Sequence, residues 1–154
     1  MNTTTLRNAV LAILLGIAIG AGYILLDQRA PDPEARADVA VTDCRPTPGP
    51  CAAEVHGGRV RLSMAENIRE LDQFPLEVAV DGFTGVERVV VRFDMAGMDM
   101  GLNRYRLESD DRGNWRGEAM LPVCTADRVD WWATVAVEHA GGVTRAAFLF
   151  HTTE

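Results

Sequence analysis

The chain reads as an all-β protein, an immunoglobulin-like antiparallel β-sandwich preceded by a single N-terminal transmembrane helix. Three observations predict this. Apolar residues recur at every second position through most of residues 55–154, glycine- and aspartate-bearing turn signals break that pattern at intervals of about ten residues, and residues 9–26 form one uncharged apolar run.

Period-two patterning defines the strands. Val60, Leu62 and Met64 alternate with Arg59, Arg61 and Ser63; Leu76, Val78 and Val80 alternate with Glu77 and Asp81; Val89, Val91 and Phe93 alternate with Arg92 and Asp94. Successive side chains of a strand point to opposite faces, so each run predicts one apolar face and one wet face. The pattern continues through Tyr105 and Leu107, Trp115 to Leu121, Val129 to Val137 and Val143 to Phe150. Residues 110–114 (Asp-Asp-Arg-Gly-Asn) and 139–142 (His-Ala-Gly-Gly) carry the chemistry of tight links between antiparallel neighbours. Met64 to Leu71 is the one stretch read as a short helical turn. About seven strands in roughly a hundred residues fit a sandwich in which Trp115 and Trp131 anchor the two inner faces. An OB-type barrel is the alternative, and the strand number disfavours it.

The N-terminal run, Ala9 to Leu26, is preceded by Arg7 and followed by Asp27 and Arg29. A helix rising about 1.5 Å per residue over this length spans a hydrocarbon core of roughly 30 Å. Small residues within the run (Ala18, Gly20, Ala21, Gly22) and the triplet Ala35-Arg36-Ala37 raise the alternative of a cleaved signal peptide. The first set lies inside the apolar run and the second far beyond it, so an uncleaved anchor is the better reading. Residues 1–8 hold Arg7 and no acid, which predicts a cytoplasmic tail. The expectation is a single-pass inner (cytoplasmic) membrane protein with its C-terminal domain in the periplasm. Residues 27–54 contain Pro31, Pro33, Pro46, Pro48 and Pro50 and read as an extended linker, leaving 55–154 as the β-sandwich domain.

Composition narrows the function classes. The 154 residues carry a formal net charge of −7, with scattered arginines and no basic cluster, which argues against nucleic acid as a partner. His56, His139 and His151 are isolated from one another, and no zinc-protease, paired-histidine or Ser/His/Asp pattern occurs. No Cys-x-x-Cys pair is present, so thioredoxin-like chemistry is not expected. The acids sit at turns and strand edges, and the chain is not read as an enzyme.

Chemistry concentrates in Met95-Ala96-Gly97-Met98-Asp99-Met100-Gly101, directly after a strongly patterned strand. Three thioethers broken by glycines and an aspartate are poorly placed to fill a core and are expected at a loop or strand edge. Soft sulfur donors suit Cu(I), whereas magnesium or calcium would demand oxygens. Met98 and Met100 are the leading ligands, with Met95 or Met120 and a thiol completing the set; the bland reading is a flexible apolar rim that packs on a neighbour. Three cysteines, Cys44, Cys51 and Cys124, leave one thiol over if two pair outside the cytoplasm. Cys44 and Cys51 enclose a short turn-prone loop, whereas Cys51 with Cys124 would pin the linker to the domain. The spacing does not choose among the three possible pairings, and Cys124 is carried both as a disulfide candidate and as a copper ligand.

Several of these residues belong to recurring segments: Gly49-Pro50-Cys51, the Met-x-Met-Gly-x-Asn-Arg stretch from Met98 to Arg104, Leu121-Pro122-Val123-Cys124, and the last strand from Ala147 to Phe150. In these the chain resembles a group of small membrane-anchored bacterial proteins, departing from them at Ala146-Ala147, where their last strand has a proline. More distantly it is similar to YtkA-like and FixH-like domains, immunoglobulin-like modules associated with copper handling and the assembly of haem-copper oxidases. The resemblance implies a membrane-anchored periplasmic copper-binding or copper-delivery module for oxidase assembly. Its implied partners are the membrane and a haem-copper oxidase subunit or a copper chaperone. The alternative is a structural or assembly factor without metal, whose methionine-rich edge and Asn103-Arg104 contact another membrane protein.

Overall fold

A computed structural model describes Gly16, Gly20 and residues 37–47, 49–95, 101, 103–110, 112–123 and 130–152. The chain divides into two units, residues 1–35 and 36–154. In the first unit Gly16 and Gly20 are helical and exposed. The expected membrane helix and cytoplasmic tail otherwise lie outside the described residues, among which no helix is long and apolar enough to cross a membrane.

The second unit is all-β. Its described residues form ten strands: β1 (Val39–Val41), β2 (Cys51–Val55), β3 (Gly58–Met64), β4 (Gln73–Asp81), β5 (Arg88–Asp94), β6 (Arg104–Arg106), β7 (Glu108–Ser109), β8 (Asn114–Met120), β9 (Asp130–His139) and β10 (Gly142–His151). They make two five-stranded sheets, here sheet A in the order β1-β10-β9-β5-β6 and sheet B in the order β2-β3-β4-β8-β7. Neighbours run antiparallel except β1 and β10, which are parallel. The two sheets close a sandwich over the residues that the period-two pattern turns inward. Val60 and Leu62 of β3, Leu76 and Val78 of β4, Val89, Val91 and Phe93 of β5, and Ala133, Val135 and Val137 of β9 are all buried. Trp115 on sheet B and Trp131 on sheet A are buried as the two expected anchors. Phe93 ties the layers together, meeting Phe74 of sheet B edge-on at 5.8 Å and its own sheet's Tyr105 and Phe150 at 6.0 and 5.8 Å.

Three strands exceed the expected set, and two of them correct the reading of 27–54 as linker. β1 and β2 belong to the sandwich, with Val41, Cys51 and Ala53 in its core. The prolines misled because Pro46 and Pro50 fall in the connection between β1 and β2, where no ladder N–H is required of them. A disulfide between Cys44 and Cys51 joins that connection to the start of β2. The third addition, β7, is a two-residue strand too short to show periodicity.

The stretch from Met64 to Leu71 is also not helical. Its backbone bonds outward: Leu71 N–H donates to Leu121 O at 2.9 Å, and Glu70 bridges Leu121. Leu71 takes φ of 65°, a left-handed conformation that ends any helix, while Ile68 is buried in the core.

Both expected turns form. Asp110 accepts the backbone N–H groups of Arg112 at 3.0 Å and Asn114 at 3.1 Å, and the Asn114 side-chain amide at 3.1 Å. These bonds, led by that from Arg112, hold the Asp110 carboxyl below the usual carboxylate range. His139 pairs with Gly142 across a two-residue link. At the opposite sheet, Gly58 lies so close to β4 that an added methyl would overlap the Asp81 carbonyl oxygen and press on the Phe83 ring. Gly58→Ala is therefore expected to cost about 1–3 kcal/mol, the usual range for forced overpacking. A urea midpoint equal to that of the parent would show that the ladder simply shifts.

Candidate functional site

The strand register determines where the soft donors start. β5 and β9 run antiparallel with Asp94 opposite Trp132, so one step further places Met95 beside Trp131 at the same end of sheet A. Residues 96–100 follow Met95 and lead back to Asn103 and β6; residues 124–129 precede Asp130, where β9 starts. The two chain segments carrying Met98, Met100 and Cys124 thus attach to adjacent strand ends. Met98, Met100 and Cys124 themselves lie outside the described residues.

Met95 is not a rim residue. Only 3% exposed, it belongs to the core, because the alternation of Val89, Val91 and Phe93 carries one more step inward. Met120 takes the opposite placement. It is 40% exposed on the outer face of sheet B, with Ala119 turned inward in its stead. Met95 and Met120 therefore present their thioethers to different sides of sheet B and are not brought together. Only the Met120 carbonyl reaches toward β6, accepting the Tyr105 hydroxyl at 2.6 Å.

Asn103 and Arg104 part company as well. The carbonyl of Asn103 accepts the Phe93 N–H at 3.0 Å, which places it opposite Phe93. Tyr105 points inward to Phe93 and β8, Arg104 is exposed, and the two-residue period returns Asn103 to the inside. Asn103 is 8% exposed and so withdrawn from the partner contact expected of it, while Arg104 remains available on the edge strand. Among the described residues neither Oδ1 nor Nδ2 of Asn103 finds a hydrogen-bond partner, and neither does Trp131 Nε1. Sequence reasoning missed the burial of the Asn103 carboxamide. The signal was there in the alternation counted backwards from Tyr105.

The histidines stay apart. His139 Nε2 lies 3.0 Å from Thr144 Oγ1, and its Nδ1 accepts the Gly141 N–H at 3.2 Å, so it serves the β9–β10 turn. His56 is exposed between β2 and β3, and His151 ends β10. Among the described residues no three His, Cys, Asp or Glu side chains gather as a potential metal cage. With Cys44 and Cys51 bonded to each other, Cys124 is the cysteine outside that bridge.

No family model and no curated protein matches the chain. Among solved structures it is similar to part of an engineered protein whose crystal structure was determined at 1.98 Å, with 15% identity and a TM-score of 0.45. That similarity covers 69% of this chain but only 20% of the engineered one, so the chain spans about a fifth of the length of the structure it matches.

Proposed function

We propose that the protein is a membrane-anchored periplasmic module that binds Cu(I) and passes it to a partner, using an immunoglobulin-like head. The observation that carries this reading is the attachment of the methionine segment and the Cys124 segment to adjacent ends of β5 and β9. Thioethers and a thiol form the donor set that a soft monovalent ion prefers. Met98 and Met100 hold the ion, Met95 supplies a donor from the core side, and Cys124 is a further ligand available for exchange. Thioethers need no deprotonation, so their contribution persists over a wide pH range, whereas Cys124 must lose its proton to bind.

Two further features support the setting. A disulfide within the head suits an oxidising compartment, in line with export behind the apolar run of residues 9–26. The order β10-β9-β5 in one sheet and β4-β8-β7 in the other matches the two sheets of immunoglobulin-like sandwiches. Delivery proceeds by ligand exchange to an oxidase subunit or a copper chaperone at the same membrane.

The test is anaerobic Cu(I) titration of the full-length chain in detergent against a chromophoric chelator. Near-stoichiometric loading is expected. Absence of binding at chelator-competitive concentrations would transfer the function to a metal-free assembly factor contacting its partner through Arg104.

A further inference from the structure

Arginines that are scattered in the sequence converge on the outer face of sheet A. The outward residues of β5 include Arg88, Val90 and Arg92, and those of β6 are Arg104 and Arg106. The register sets Arg104 directly opposite Arg92 and Arg106 opposite Val90, which makes Arg106 a diagonal neighbour of both Arg88 and Arg92. Arg88 pairs with Glu138 at 2.9 Å and Arg92 with Asp94 at 2.8 Å, so these two acids are already engaged. Arg104 and Arg106 are exposed, and among the described residues neither forms an ion pair. Like charges directly opposite on a ladder destabilise it, and the chain as a whole is acidic, with a formal net charge of −7. The fold therefore gains nothing from this concentration of positive charge.

The same two arginines hold the open backbone of the sheet. Phe93 N–H donates to the Asn103 carbonyl and Leu107 N–H to the Val89 carbonyl, so the alternate positions 103, 105 and 107 face β5. Arg104 and Arg106 direct their N–H and C=O groups the other way, where no strand follows among the described residues. An added peptide strand meets donors and acceptors together, whereas a phosphate backbone brings acceptors only. A second copy of β6 laid here would set arginine against arginine. We propose that the free edge of β6 docks an extended acidic segment of a partner protein by strand addition. Two carboxylates, one residue apart from each other, stand opposite Arg104 and Arg106. The residue between them lies on the other face beside half-buried Tyr105, whose ring packs on Phe93, so the segment reads acidic, apolar, acidic. This interaction is independent of the Cu(I) reading and defines the chemistry of a partner rather than of a metal.

The experiment titrates the full-length chain in nonionic detergent against a short, end-blocked, fluorescent peptide of alternating glutamate and valine, read by anisotropy at low salt. Saturable binding is expected, with none by the counterpart in which lysine replaces glutamate. Arg104→Gln and Arg106→Gln each weaken binding about two- to fivefold, the scale of an exposed opposite-charge pair across strands. N-methylation of the glutamates keeps their charge but removes the N–H groups that face the edge, so it weakens binding by about tenfold. Arg104→Glu places an acid opposite Arg92, so it weakens binding further while the thermal midpoint of the protein stays level or rises. A merely structural arginine would do the reverse, lowering the midpoint and leaving the peptide bound.

Failure of the acidic peptide to bind, or equal binding by the parent and both glutamine variants, overturns the proposal. The arginines then serve only to keep β6 from pairing with the edge of another copy. Equal binding of the N-methylated peptide also overturns it, since charge without strand addition would then account for the attraction. So does tighter binding of short duplex DNA, or of vesicles of phosphatidylglycerol and phosphatidylcholine, either of which would assign the patch to phosphate.

Discussion

Trp131→Ala is expected to lower the free energy of unfolding by about 3–5 kcal/mol, the range for large aromatic truncations in a core, and Trp132→Ala by clearly less. Trp131 is fully buried, faces Phe150 of β10 across the ladder and stands beside Met95 at the end of β5. Removing its indole opens a cavity at the end of the sandwich that Phe150 and Met95 line but do not fill. The unpaired Nε1 tempers the loss slightly, since deleting it also removes a desolvated donor. Trp132 stands on the outer face opposite Asp94 and Leu149, half-buried, so its truncation sheds exposed as well as covered surface. Urea melts of both variants give the comparison directly. Equal losses would count against this register, and a reversed order would place β9 one residue out of it.

The same alternation explains how much of the molecule was legible in advance. Where five or more residues keep period two, as in β3, β4, β5 and β9, the sequence predicts both the strand and its buried face. The reading broke down where composition competed with pattern. β1 shows only Val-Ala-Val, and the prolines that surround it announce a linker although Pro46 and Pro50 fall between β1 and β2 rather than within either. Residues 64–71 contain enough polar and helix-favouring residues to look like a turn of helix, yet Met64 N–H bonds the Pro46 carbonyl, and Glu70 and Leu71 pair with Leu121, from a distant part of the chain. Cysteine pairing was open because loop length alone permits several closures; a Cα–Cα distance of 5.7 Å between Cys44 and Cys51 is a tertiary fact.

The candidate site was legible in its donors and not in its walls. Methionine spacing marked the segment from Met95 to Met100, but grouping Met95 with its neighbours as a loop residue overlooked that it completes the inward series of β5. Met120 was grouped with the others by residue type alone, and one position of alternation past Ala119 turns it outward. Asn103 was grouped with Arg104 as a partner contact. Its burial follows from Tyr105, whose inward direction is set by a partner strand in the other sheet, β8.

The double substitution of Met98 and Met100 by leucine is expected to abolish competitive Cu(I) binding while leaving the fold intact. Methionine and leucine have similar volume, so the exchange is expected to change stability by less than about 1.5 kcal/mol, even if both side chains pack against the head. What leucine cannot replace is the sulfur. Changes in the outer shell of a metal site typically weaken binding by about 10–100-fold, so loss of two direct ligands should exceed that range in chelator competition. Met95→Leu separates the core donor from the other two: Met95 is already buried beside Trp131, and its substitution removes one thioether from the inner side only. Affinity should fall by less than in the double variant, with a stability change still within the same small range. If the double variant competes for Cu(I) as well as the parent, the thioethers are packing groups. Charge reversal at Arg104, exposed on the edge strand β6, then becomes the decisive substitution, and loss of partner association without loss of stability is its expected result.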